Sequence, residues 1–308
     1  MAAQPVALDL MTLLDAPGVG PSRIRKVLKR WQLIQGGASL LDGGLLRETL
    51  TASQVAALPK SRERVKRRWD ELSRKNIRVL SILDPDYPEA LRRTLGEETP
   101  VLLLCLGNLE LFQKKSVGFC GSREATEKGL EAAWDSADLL AREGLNVVSG
   151  FAAGVDMNAH RAALKAGGTT TVVLAEGILR FRVKKDVREE WDNVRTLVVS
   201  EFGPNLPWSV SHAMQRNRTI CGLSRAMILI EARTSGGSIE AGRVCLKLAL
   251  PLFAAVYDGM PEAATGNEEL LRQGARRLMK SRSTNRPNIR PVLEAIGPPL
   301  ETADSTIR

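Results

Sequence analysis

The chain has 308 residues, 44% hydrophobic and 26% charged, a composition of a folded globular protein with room for more than one core. Lys and Arg outnumber Asp and Glu by 44 to 35, leaving a net charge of +9 and a pI near 9.6, a balance that favours polyanionic partners. No apolar run approaches the roughly 20 residues needed to cross a bilayer, and Met1-Ala2-Ala3-Gln4 lacks a basic signal-peptide start. Cys105, Cys120, Cys221 and Cys245 show no Cys-x-x-Cys spacing and read as buried thiols, so a cytoplasmic location is expected.

The first hundred residues have a helical pattern rich in Leu, Lys and Arg, broken at Pro17-Gly18-Val19-Gly20-Pro21, Gly36-Gly37 and Gly43-Gly44. The first break, followed by Arg23, Arg25, Lys26, Lys29 and Arg30, resembles a helix-hairpin-helix, whose glycines expose backbone N–H groups to a nucleic-acid phosphate. The same Gly-Val-Gly equally suits a turn that only joins two packed helices. A second basic run, Lys60 to Arg78, fits an amphipathic helix with Val65, Trp69 and Leu72 inward, its charges facing solvent or a ligand. A strand is expected at Ile77–Ile82, then a turn at Asp84-Pro85-Asp86-Tyr87-Pro88 and a helix from Glu89.

From residue 101 apolar strands and helices alternate. Strands are predicted at 101–106, 116–120, 146–149, 169–175, 196–200, 226–231 and 251–256, with helices at 126–143, 155–166, 211–223 and 238–248. This predicts an α/β domain, an extended Rossmann-like, doubly wound, mainly parallel sheet, preceded by a small helical domain. The expected division is 1–76 helical, 77–290 Rossmann-like, and 291–308 a flexible tail. Residues 270–290 are basic without a single acid.

Three strand ends open into small residues and then a helix, and helix N-termini at such places offer unpaired N–H groups to anions. At Gly121-Ser122-Arg123 a glycine permits close backbone approach, a hydroxyl donates, and a guanidinium grips two phosphate oxygens. Thr126 is placed to cap the following helix. At Ser149-Gly150 and Gly154-Val155-Asp156 the next helix carries His160 one turn after Asp156. With His212 on a distant helix no third metal ligand is available, so Asp156 is expected to cap and His160 to hydrogen-bond beneath the crevice. The loop Thr234-Ser235-Gly236-Gly237-Ser238 forms an anion nest but lacks the lysine of a P-loop. Arg216-Asn217-Arg218 sits among Met214, Ile220 and Leu223, where a half-buried charge needs a phosphate or a carboxylate such as Glu201 or Glu231.

Together these motifs resemble the DprA/Smf family of bacterial DNA-processing proteins. The carriers include Pro17–Pro21, Asp84–Leu91, Gly121–Thr126, Ser149–His160, Ser200-Glu201-Phe202-Gly203, Arg216–Ser224, Glu231–Ser238 and Gly266–Ala275, spread in order over nearly the whole chain. The resemblance implies a sterile-alpha-motif-like or helix-hairpin-helix-like domain joined to a Rossmann domain that binds single-stranded DNA, dimerises, protects incoming strands and helps load a RecA-type recombinase. It further implies that Arg123 holds a DNA phosphate, that Gly121, Ser122 and Ser235 to Ser238 complete the pocket, and that Arg216 and Arg218 support it. No catalytic residue, metal or cofactor is expected.

The chain departs from the family where 178–195 is charged rather than carrying Tyr-Pro, where Trp208 and His212 stand in the region of a usual Phe-Pro, and where Ser-Gly-Gly-Ser-Ile-Glu replaces Ser-Gly-Ser-Leu-Ile-Thr. A defence-associated or mobile-element paralogue is therefore an alternative to a transformation protein. So are a nucleotide sensor and a phosphoribohydrolase of the LOG type, for which Glu240 lies near the corresponding loop but at the wrong spacing.

Overall fold

The computed structural model describes residues 4–33, 39–261 and 264–297. Gly36-Gly37, the start at Met1 to Ala3 and the end of the expected tail, 298–308, lie outside them.

Four helices come first: α1 (Gln4–Asp15), α2 (Pro21–Leu33), α3 (Gly43–Leu46) and α4 (Ala52–Arg74). Thr51 and Gln54 form a capping box at the start of α4, satisfying two N–H groups that would otherwise be orphaned. The Gly-Val-Gly turn is anchored at its first two residues and exposed at its glycines: Gly18 has φ +73°, its carbonyl accepts from Gln54 Nε2 at 2.8 Å, and Val19 is buried. Much of the basic charge is spent inside the fold. Arg62 donates to Asp9 at 2.7 Å, Arg64 and Arg68 converge on Asp15, Lys29 pairs with Glu97, and Arg25 donates to the Thr99 carbonyl at 2.8 Å.

The sheet has nine strands: β1 (Arg78–Ser81), β2 (Leu102–Gly107), β3 (Ser116–Gly121), β4 (Asn146–Ser149), β5 (Thr169–Val173), β6 (Thr196–Ser200), β7 (Ala226–Ile230), β8 (Leu252–Ala255) and β9 (Arg276–Leu278). Their order is β1-β2-β6-β5-β4-β3-β7-β8-β9, with the run from β6 to β9 parallel and β2 antiparallel to both neighbours. The helices between strands are α5 (Glu89–Leu95), α6 (Glu127–Arg142), α7 (Val155–Lys165), α8 (Val210–Leu223), α9 (Gly237–Lys247) and α10 (Thr265–Arg272). The expected doubly wound, mainly parallel α/β architecture is present.

Side-chain alternation splits the core. Val117, Phe119, Val147, Ile228 and Ile230 meet α6 and α7, whereas Cys120, Val148, Met227 and Leu229 meet α8 and α9. Burial on both faces explains why these strands read as continuous apolar runs. The N-terminal helices share a core with Leu102, Leu104, Val172 and Val198 of the sheet.

Past β8 the structure holds more than the sequence reading supplied. β9 adds an edge strand, Lys280 pairs with Glu131, and Arg286 pairs with Asp135 and Asp138 of α6. Across the boundary into the expected flexible tail, 291–308, Arg290–Ile296 forms α11, with Pro291 in its first turn and Val292 buried. Proline supports that position because its missing N–H has no helical partner there.

Candidate nucleic-acid interface

After β3 the chain moves through β4, β5 and β6 on one side, then returns to lay β7 on the other side of β3. The crevice outside the carboxyl ends of β3 and β7 is therefore the switch point of the sheet, where doubly wound folds bind ligands. It contains a cavity of about 410 Å³ lined by Gly121, Ser122, Arg123, Asp156, Arg216, Asn217, Ser235, Gly236, Gly237 and Ser238. Those ten expected residues thus come together from four separate segments.

Steric demands place the backbone. A Cβ on Gly121 would lie 2.1 Å from the Ile230 carbonyl, so only glycine lets β3 close on β7 there. Ser122 accepts from Glu124 N at 3.1 Å, which leaves its own proton to donate. Thr126 Oγ1 caps α6 by accepting from Gly129 N at 3.1 Å, as its position predicts. Gly236, at φ +104°, precedes α9, whose first N–H groups receive no side-chain cap. Asn217 Nδ2 donates to the Gly237 carbonyl at 3.1 Å and so ties α8 to that helix start.

The charges are unusual. Arg216 is buried, its Nε has no hydrogen-bond partner, and Asp156 Oδ2 stands 3.9 Å from Nη1. Burial lowers its pKa from the usual arginine value, the Asp156 carboxylate opposes that shift, and nearby Arg123 adds to it. Neither carboxylate expected to serve Arg216 hydrogen-bonds to it. Glu201 accepts from Gln215 and Thr219, each at 2.7 Å, while Glu231, at φ +45°, accepts from Thr126 N at 3.0 Å and from Tyr257. Arg123 is exposed and unpaired with any carboxylate among the described residues; its guanidinium lies 5.4 Å from the Trp208 ring centroid.

Four expected residues stand outside the lining. Ser149 is buried and donates to the Phe119 carbonyl at 2.8 Å. Gly150 makes space: a Cβ there would fall 1.8 Å from Arg216 Nη1. Gly154, at φ +75°, lets its loop pass Ser122, whose carbonyl a Cβ would approach to 2.4 Å. Arg218 points away and pairs with Glu98 at 3.2 Å, because two positions along a helix turn a side chain through about 200°.

His160 is buried beneath the crevice between the Gly150 carbonyl and Thr170, as expected, and burial lowers its pKa. Asp156 accepts from Ala152 N at 3.3 Å rather than capping α7 with its side chain. No group of three or more potential metal-ligating side chains occurs among the described residues. Glu240 lies outside the crevice, paired with Arg243.

The sequence reading missed Arg233, Lys184 and Trp208 as lining residues. A second cavity of about 350 Å³ shares Arg123, Ala152, Trp208 and Arg216 with the first and adds Lys184. Lys184 comes from the charged 178–195 segment, which turns Phe181, Val187 and Trp191 inward against Phe151 and Met157. Its amine donates to the Phe151 carbonyl, and burial lowers its pKa, with Arg123 adding to the effect.

Over residues 78–285, more than half of the chain, the sequence matches the family described as DNA recombination-mediator protein A. The chain belongs to that family. It is the DprA/Smf family that the motifs resemble, and the chain is 34% identical over 200 residues to DNA processing protein DprA of Streptococcus pneumoniae, covering 64% of this chain and 69% of that protein. The solved structure of DprA from S. pneumoniae superposes with a TM-score of 0.75 at 29% identity, covering 88% of this chain and 94% of the other. DNA processing protein A from Helicobacter pylori, solved in a study of its single-stranded DNA binding mode, aligns with a TM-score of 0.56 at 26% identity, over 67% and 92% of the two chains. No helix among the described residues is long and apolar enough to cross a membrane.

Proposed function

We propose that this chain binds single-stranded DNA in the crevice at the switch point between β3 and β7, without chemical turnover. The observation that carries the proposal is Arg216: a buried guanidinium with an orphaned Nε and a single carboxylate at 3.9 Å lacks a full set of partners until an anion arrives. Arg123, the Ser122 hydroxyl and the uncapped start of α9 converge on the same space. Backbone amides and arginines along a groove bind a strand through its phosphates without reading its sequence. The relative from H. pylori, whose binding of single strands is described, supports this reading.

On the same reading the chain protects single strands and assists a RecA-type recombinase in recombination or natural transformation. It does so in the cytoplasm, as a homodimer through its Rossmann domain (77–290), with residues 1–76 as an accessory helical domain. Fluorescence anisotropy of labelled oligo-dT and its duplex across a salt series, competed with mononucleotides, tests the DNA reading. The expected result is tight, salt-sensitive preference for the single strand. Negligible strand binding, with mononucleotides displacing a pocket probe, would overturn it in favour of a nucleotide sensor.

A further inference from the structure

The crevice has an apolar side that its cations leave unused. Trp208, Val210, Ala213 and Met214 face the cavity across from the glycine loops. Leu206, Trp208 and Val210, 39%, 46% and 67% exposed, bring three large hydrophobic side chains to the surface within five residues. Trp208 and Val210 belong to the wall of the charged crevice itself, where exposed apolar side chains suit a ligand with an apolar face.

The segment is also anchored by hydrogen bonds on both sides of the indole. Leu206 N donates to the Gly203 carbonyl at 2.9 Å, and the Leu206 carbonyl accepts from Gly177 N at 2.8 Å. On the other side, the Ser209 hydroxyl accepts from His212 N at 3.1 Å, while the His212 ring packs 4.6 Å from that of Phe202. Trp208 thus stands on a backbone anchored on both sides, its indole beside the Arg123 guanidinium and part of the wall of both cavities.

We propose that Trp208 is a stacking platform for one nucleobase of the bound strand, its phosphate lying toward Arg123 and the start of α9. The proposal rests on the single-strand reading of the crevice and adds what that reading lacks, a reason for preferring unpaired bases. In a duplex the base faces are already stacked on their neighbours, whereas a single strand can turn one onto an aromatic ring. Val210 and Met214 would line the edge of the same base.

The test compares oligo-dT with a strand of equal length in which every base is replaced by an abasic tetrahydrofuran unit, using wild type, Trp208→Leu and Trp208→Phe at several salt concentrations. Trp208→Leu is expected to weaken oligo-dT binding about tenfold with an unchanged salt slope, and Trp208→Phe to keep most of the affinity. Wild type and Trp208→Leu are expected to bind the abasic strand equally. Thermal midpoints check that each variant is folded, and quenching of wild-type tryptophan emission by oligo-dT but not by the abasic strand gives a readout free of substitutions. Unchanged oligo-dT affinity in folded Trp208→Leu would overturn the platform alone, as would an equal loss on both strands, which would mean that Trp208 merely positions Arg123. Binding of neither strand by the wild type would overturn the DNA reading and the platform with it.

Discussion

Asp156→Asn is expected to move stability and DNA affinity in opposite directions. The carboxylate lies 3.9 Å from Arg216 Nη1, with both side chains almost wholly buried. Coulomb's law at that distance gives about 1 kcal/mol with water-like screening and about 4 kcal/mol at an effective dielectric of ~20, which bounds the attraction lost. Asparagine keeps the shape and an oxygen able to accept from Ala152 N, so the loop should persist while the charge disappears. Removing that charge leaves Arg216 without its nearest counter-charge, which costs folding free energy. It also removes the carboxylate nearest Arg216, which repels an incoming phosphate and competes for that guanidinium. Urea unfolding of the free protein should therefore show a loss within that range, while anisotropy shows tighter oligo-dT binding. Saturating oligo-dT should recover part of the lost stability by mass action. A variant as stable as the wild type that binds DNA with unchanged affinity would refute the argument that Asp156 and a phosphate share Arg216.

Arg123→Ala should weaken single-strand binding and reduce the slope of log K against log salt by about 0.7, one phosphate on a single strand, whereas Arg218→Ala should change neither, since Arg218 faces Glu98. A larger effect at Arg218 in the same titration would return it to the crevice. Gly154→Ala should cost about 1–3 kcal/mol in urea unfolding and weaken DNA binding, because φ is +75° and the new Cβ would press on the Ser122 and Arg123 carbonyls. Retained stability and affinity would refute the close approach of the two loops. For His160 the fold lowers the pKa below the ordinary value of about 6.5, so the unfolded chain binds the extra proton first as pH falls. Its contribution to stability is intact above pH ~6.5 and declines below it with a slope of at most about 1.4 kcal/mol per pH unit. Buried Glu201, whose pKa is raised, contributes with the opposite sign from pH ~4.5 up to its folded pKa, so His160→Gln should be compared with wild type from pH 7.5 to 5.5. Identical pH dependence in the two proteins would refute the assignment.

Local and long-range information divide clearly between the residues that gather at the crevice as expected and those that lie elsewhere. The β3 and β7 loops were legible because a buried parallel strand, a glycine and a helix start are adjacent in sequence, so geometry follows from a few neighbouring residues. The basic N-terminal helices were not. Arg62 and Arg68 are neutralised by Asp9 and Asp15 of α1, each 53 residues away, and pattern along one helix cannot show which charge meets it from another. Arg216 and Arg218 illustrate the same limit at short range: two positions apart in one motif, they are turned about 200° around the helix, one into the crevice and one toward Glu98.

Trp208 and Lys184 lie in irregular segments, where no periodicity assigns a side, and they reach the crevice because hydrogen bonds to Gly177, Gly203 and Phe151 hold those segments against it. These two segments are also among those that depart from the DprA/Smf pattern. The anion-holding end, built on glycines and helix starts, is constrained by backbone geometry that few other residues satisfy, whereas the wall that would face a base is made of side chains on loops, which tolerate replacement. Two of the departures in this chain thus fall on that wall and the third, Ser235 to Glu240, at the start of α9 itself, so a change in preferred strand composition should track these segments rather than Gly121-Ser122-Arg123.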